Sequence, residues 1–270
     1  MLREIGTVET QKGKKPYDVP GYRSREMGKG SSKEMVKGKK IYLVLTWLIR
    51  ISLLFAILGA IWERAWMPLF VSSLSLLLSF LPLFMKRNYR INLPGEIQII
   101  IVLFVYAALF LGMAREWYAR FRWWDSMMHS FSGIALGFAG FMILYVLHKS
   151  GKLEAKPSLI VLFSFCFAVA MGTVWEILEF ATDTYFTQVN MQRTRTIEEV
   201  IQYGSTRLVI YDTMWDLVLN TIGAFLASLG GYIYLKKGEI FLFDKLVNQF
   251  EEVNPQLFKR RHRRHEDKAG

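Results

Sequence analysis

Apolar residues in this chain come in long runs and not in short amphipathic periods. A helix needs about 20 residues to cross the hydrocarbon core of a bilayer. Six runs approach that length, at 42–61, 67–85, 97–114, 127–147, 158–180 and 213–235. The pattern predicts an all-α fold: a polytopic membrane helical bundle of about six transmembrane helices. It divides the chain into a basic disordered tail over 1–41, a six-span domain over 42–235, and an amphipathic helix with a polybasic tail over 236–270. The leading 41 residues are too long and polar for a signal peptide, so the first span is expected to persist in the mature protein.

Polar residues interrupt these runs at a few places, and three of the interruptions are alike. Span four opens with Trp123-Trp124-Asp125-Ser126-Met127-Met128-His129, an acid and an imidazole four residues apart on one helix face. Span five ends with Glu176 and Glu179 on a shared face, and span six begins with Asp212, Asp216 and Asn220 as a ladder of period four. Spans four and six run in one direction and span five in the other. All six ionisable residues therefore fall at one end of the bundle. Asp216, one turn further in than Asp212, should be the more buried of that pair. Span four continues with Ser132, Gly133, Gly137 and Gly140, whose small side chains let helix backbones approach closely. Arg50 stands near the middle of span one, about ten residues or roughly 15 Å from its end. It pairs with an acid or a lipid phosphate, or its side chain snorkels back toward the interface.

Charge settles the expected orientation. A net +11 would suggest nucleic acid in a soluble protein. Here, if both termini are cytoplasmic, 26 of the 34 Lys and Arg lie in the two tails and the 86–96 and 148–157 loops. That is the positive-inside bias, and it predicts an N-in/C-in protein of the inner (cytoplasmic) membrane. Trp62, Trp66, Trp117, Trp123 and Trp124 then fall at the outer interface as an aromatic belt, with Trp175 and Trp215 at outer helix ends. Both basic tails are expected to contact anionic lipid, including the run Lys259-Arg260-Arg261-His262-Arg263-Arg264. No nucleic-acid partner is expected, because that patch is short and has no folded module beside it. The apolar residues Ile240, Phe241, Phe243, Leu246, Val247 and Phe250 predict a helix lying along the cytoplasmic interface. The lone Cys166, inside span five, excludes an intramolecular disulfide and is read as packing.

Five carboxylates cannot share a small, partly dry site while all are ionised. Some hold protons, or a cation balances them. Four or more oxygens with one imidazole suit Mg²⁺, Mn²⁺ or Ca²⁺, so Asp125, His129, Glu176, Glu179, Asp212 and Asp216 are candidate ligands. Iron in a carboxylate-bridged pair fits less well, since such sites use a Glu–His pair on two helices and only one nearby His exists. A His-rich zinc triad is disfavoured for the same reason. The alternative is structural: Asp125 and Asp212 as helix caps and the rest in interhelical hydrogen bonds.

On these residues the chain resembles the YjdF-type bacterial inner-membrane proteins, and more distantly the VanZ-like family, over roughly 120–225. The resemblance rests on Asp125, His129 and Gly133, on Trp175 through Phe180, on Asp212-Thr213 with Asp216, and on Gly223-Ala224. Asn220 with Gly223 is closer to the VanZ pattern. Val209-Ile210 stand where a YjdF-type Gly-Asp pair is expected. The VanZ-like members are linked to glycopeptide resistance, which implies a cell-envelope role.

Three functions remain open. One is a metal-dependent hydrolase or transferase acting on an amphiphile, with His129, Glu176 or Glu179 catalytic and Arg195, Arg207 and Asn220 on the substrate. The second is a carrier for a cation, proton or anionic lipid. The third is an envelope partner protein with structural acids. No standard hydrolase motif is present. The orientation makes a direct prediction: tags at both termini should be reached by reagents only from the cytoplasmic side. Labelling of either terminus from outside intact cells contradicts it.

Overall fold

The computed structural model describes residues 29–185, 205–238 and 241–258. Among them no strand occurs, as expected where hydrocarbon offers the backbone no hydrogen-bond partner and each segment must satisfy itself. Helix α1 (Lys29–Trp62) is followed by α2 (Trp66–Leu78), α3 (Leu81–Tyr89) and α4 (Gly95–Val105), the last continuing as a π-helix over Tyr106–Ala114. A short α5 (Trp117–Arg120) leads into α6 (Arg122–Lys149), α7 (Pro157–Tyr185), α8 (Ser205–Lys237), α9 (Phe241–Val253) and α10 (Pro255–Phe258).

Five helical segments are long and apolar enough to span a membrane: Ile41–Trp62, Gly95–Ala114, Trp123–Lys149, Pro157–Tyr185 and Ile210–Lys237. The sixth expected span is not one straight helix. In its place stand α2 and α3, bent by 42° at a short break, the geometry of a broken span or of a re-entrant loop. Pro82, in the first turn of α3, has no N–H to give the preceding turn, and its ring crowds the carbonyl four residues back. The first helix also starts well before position 42, at Lys29, so 29–41 are helical and not an unstructured tail. Residues 1–28 lie outside the described part, as does the polybasic run from Lys259.

The apolar surface of the spans is largely turned outward. Leu43, Leu48, Phe55 and Leu58 on α1, and Ile177, Phe180, Ile222 and Phe225 on α7 and α8, are exposed. Such a surface is stable against lipid tails and not against water, so this is a multi-pass membrane protein. Cys166 is exposed too, on the outward side of α7 and not packed inside.

Two sub-bundles make up the molecule. In the first, α1, α2 and α4 with its π-helical continuation pack around Ile49, Leu53, Val102 and Phe110. In the second, α6, α7 and α8 pack on one another more extensively than any other helices. Trp124 and Met128 of α6 join the two, against Ala108. The amphipathic α9 does not turn its apolar stripe to a membrane surface. Val247 and Phe250 are buried in a cluster with Phe141, Tyr145, Ile160 and Tyr234, so α9 closes one end of the second sub-bundle. The Tyr145 hydroxyl donates to Glu251 at 2.6 Å, and Asn254 and Asn92 hold α9 to the 90–94 turn through two bonds of 2.6 and 2.7 Å. Gly151 and Gly238 take positive φ where α6 and α8 end, the backbone state that terminates helices at least cost.

Close approach within the second sub-bundle rests on small residues. A methyl at Gly133 would overlap the Asn220 carbonyl, and one at Gly223 the Ser130 carbonyl. Further in, Gly137 meets Ala227, and Gly140 meets Phe167 and Ser164. Hydroxyls add polar links: Ser164 donates to the Gly137 carbonyl at 2.6 Å, and Ser228 to Ser164 at 3.2 Å. Gly133→Ala should therefore destabilise the fold by about 1–3 kcal/mol, because the backbones must part. Gly59→Ala, with nothing within 4 Å, should be neutral or slightly stabilising. Thermal unfolding of the two variants in detergent checks the contrast, and equal midpoints would count against backbone contact at Gly133.

Candidate functional site

The connection over 115–121 follows the π-helix directly into α6, so the start of α6 lies at the same end of the bundle as the α1–α2 turn. There α7 finishes and α8 begins. Asp125, His129, Glu176, Glu179, Asp212 and Asp216 are all buried at this end, each 3 to 8% exposed. Asp216, at 3%, is more buried than Asp212, at 7%.

His129 stands among carboxylates of three helices. Its Nε2 lies 3.5 Å from Asp125 Oδ1, on its own helix, and 3.9 Å from Asp216 Oδ2 on α8. Its Nδ1 lies 3.5 Å from Glu176 Oε1 on α7. These separations exceed the roughly 2.7–2.9 Å of a charge-assisted hydrogen bond. Glu176 is the most demanding group: both of its carboxylate oxygens are buried and neither completes a well-formed hydrogen bond, with the His129 ring and the Thr213 hydroxyl as its polar neighbours. Leaving such a group unmet costs far more than an ordinary polar burial. Glu179 differs, since its Oε1 accepts from the Trp175 indole N–H at 2.7 Å.

Two triads could hold a cation, Asp125–His129–Asp216 and His129–Glu176–Glu179, with the donor atoms of each within 4.8 Å of one another. Ligands held at about 2.0–2.6 Å on opposite sides of an ion show a spread of that size. The triads share His129 through its opposite ring nitrogens. Neutral imidazole has one acceptor nitrogen and one N–H, so only one triad uses it as a ligand at a time.

Asn220 lies one layer further in, 1% exposed. Its Nδ2 donates to the Ala168 carbonyl at 3.3 Å and its Oδ1 accepts from Ser132 at 3.4 Å. A methyl at Gly172 would overlap its side chain. Asn220 thus ties α6, α7 and α8 together. Arg195 lies outside the described residues. Arg207 is in the first turn of α8, and its side chain is likewise outside them.

Two tryptophans carry more than their sequence positions suggested. Trp175 is the partner of Glu179, an i, i+4 pairing legible in the spacing but masked by the belt reading. Trp124 is 7% exposed, with its indole N–H buried and unbonded, so it is not a belt residue. Trp123, 56% exposed, does face outward.

Comparison with known proteins places the arrangement. The family described as "Predicted membrane protein (DUF2238)" matches residues 43–237, which reach from α1 to the end of α8 and include all six ionisable residues. An uncharacterised protein of Thermotoga maritima is 24% identical over 158 residues, covering 58% of this chain and 72% of the relative. No solved structure matches.

Trp175→Phe should lower stability by about 1–3 kcal/mol, because it leaves a buried Glu179 oxygen without its donor. Thr173→Val removes only an exposed hydroxyl bonded to Val169 and should leave the unfolding midpoint within error. Equal midpoints for the two variants would show that the Trp175–Glu179 bond contributes nothing.

Proposed function

The chain belongs to the DUF2238 family of predicted membrane proteins, and we propose that it is a divalent-cation-dependent hydrolase or transferase acting on a lipid-linked or envelope substrate. The observation that carries this reading is Glu176, buried among other carboxylates and 3.5 Å from the His129 imidazole, with the Thr213 hydroxyl as its neutral neighbour and no well-formed hydrogen bond to either oxygen. A cation answers that deficit directly. Magnesium, manganese or calcium suits a donor set this rich in carboxylate oxygen.

In this reading Glu176, Glu179 and His129 Nδ1 are the ligands. His129 Nε2 then carries the proton and faces Asp125 and Asp216, which orient the ring as carboxylates orient metal-bound histidines elsewhere. When bound, the cation supplies charge balance and an acidified water. Asp216 and Asp125, both beside Nε2, would hold that N–H and so fix the tautomer that leaves Nδ1 free to bind. The resemblance to YjdF-type and VanZ-like proteins agrees with an envelope substrate. With both termini cytoplasmic, the site faces the outer leaflet of the inner membrane and the basic tails lie on anionic lipid of the other.

A carrier would need a route from the site to the far end of the bundle. Beneath the site, Asn220 and the contacts at Gly133, Gly137 and Gly140 fill the space between the helices. That packing supports a site worked from one end.

Metal analysis and calorimetric titration of the full chain in neutral detergent test the proposal. Wild type should bind one of the three cations, and Glu176→Gln should weaken binding at least tenfold while remaining folded. Asp216→Asn should weaken it less, since that residue acts through the ring. A wild type that takes up no divalent cation, or a Gln variant that binds equally, refutes the site. Cation flux into proteoliposomes would replace the enzyme reading with the carrier.

A further inference from the structure

Among the described residues Arg50 is the strongly basic residue inside an apolar span, and it belongs to the first sub-bundle, whereas the acidic site belongs to the second. Its Nε donates to Ser79 Oγ at 3.1 Å and its Nη2 to the Ser79 carbonyl at 2.9 Å, and its guanidinium stacks on the Phe80 ring at 3.8 Å. Ser79 and Phe80 are the break between α2 and α3. The arginine therefore bridges that break, neither pairing with an acid nor simply reaching for the interface. All of these partners are neutral. Among the described residues no carboxylate lies in ion-pair range of Arg50 or of Lys86, whereas nearby Glu96 has Lys245 at 3.7 Å and Gln249 at 2.9 Å. A positive charge within a span is costly unless an anion meets it.

The same arginine lines a cavity of about 530 Å³, within the roughly 300–1,000 Å³ of small-molecule sites. Lys86 and Glu96 add charged groups to its wall, and the amides of Asn92, Gln98 and Gln249 line it while donating to the protein itself. Leu43 and Leu83, at the edges on α1 and α3, are 46 and 57% exposed on the outward surface. Two cationic side chains, Arg50 and Lys86, beside a Glu96 already met by Lys245 and Gln249, and an apolar side opening, suit an amphiphile with a phosphate head. We propose that this cavity binds a phosphate-bearing ligand, its phosphate on Arg50 and Lys86, with the apolar edge selecting a lipid over a water-soluble phosphate.

The test is thermal stabilisation of the full chain in neutral detergent by dihexanoyl phosphatidylglycerol, by glycerol phosphate and by inorganic phosphate. The short-chain lipid should raise the unfolding midpoint of wild type. Lys86→Gln, an exposed position without a protein partner, should keep the fold and weaken that lipid's apparent affinity about tenfold, the scale of one charge-assisted hydrogen bond. Arg50→Gln should abolish the response, and Arg50→Lys, which cannot serve Ser79 and a phosphate together, should restore only part of it. Equal stabilisation by inorganic phosphate would support the phosphate site and assign it to a soluble ligand. No stabilisation of wild type by any of the three, or the same response in Lys86→Gln and Arg50→Gln, overturns the proposal. Cation binding at the acidic site should be unchanged in both variants, so the two sites stand or fall separately.

Discussion

Burying ionisable groups in an apolar bundle is the constraint on which the rest of this structure depends. A lone carboxylate in a low-dielectric interior carries a solvation deficit that no hydrophobic contact offsets. Five carboxylates and the His129 imidazole gather at the meeting of α6, α7 and α8, and each is less than a tenth exposed. They can be held so closely only if the backbones that carry them are close. Gly133, Gly172 and Gly223 permit this, because any side chain there would overlap Asn220 or Ser130. The glycines of α6 and the acids of the site are one design: the first sets the spacing that gives the second its chemistry.

Polar links run down the axis of the same three helices in layers. His129 sits among Asp125, Glu176 and Asp216; below it Asn220 joins Ser132 and Ala168; below that Ser164 joins Gly137 and Ser228. The lower layers are closed by direct hydrogen bonds between neutral groups. The uppermost is not, since neither Glu176 oxygen completes a well-formed bond. Lower layers closed by neutral hydrogen bonds under an upper layer of crowded carboxylates held at 3.5–3.9 Å from one imidazole mark that upper layer as the place where something outside the chain is received. The other sub-bundle poses the mirror-image problem with Arg50. There a neutral carbonyl at a helix break takes the hydrogen bonds but leaves the charge unanswered.

Much of the acidic site was legible in the chain. Spacings of four between Asp125 and His129, and between Asp212 and Asp216, put each pair on one helix face, and the alternation of span direction brings all three pairs to one end. Both inferences need only helix geometry and a count of spans. Trp175 and Trp124 were misjudged because tryptophan near a helix end has a ready interfacial explanation. Whether its indole turns to lipid or into the bundle depends on the rotation of the helix, which the neighbouring helices set. Asn220 followed the same ladder as the two aspartates. Its place one turn deeper, against Gly172, makes it a brace.

The amino-acid sequence alone determined the all-helical, multi-pass architecture, because apolar runs of span length admit no other backbone-satisfying form in hydrocarbon. It also determined which residues share a helix face, since that follows from 3.6 residues per turn. The tertiary structure decided everything that turns on contact between distant segments. It bent the second apolar run at Ser79 and supplied Arg50 from 29 residues earlier to bridge the break. It turned the apolar stripe of α9 onto the bundle, and it set Glu176 beside His129 without a well-formed hydrogen bond while giving Glu179 its indole donor. Those outcomes depend on helix rotation and close approach, which are set by the fit of whole surfaces and are not written in any local pattern.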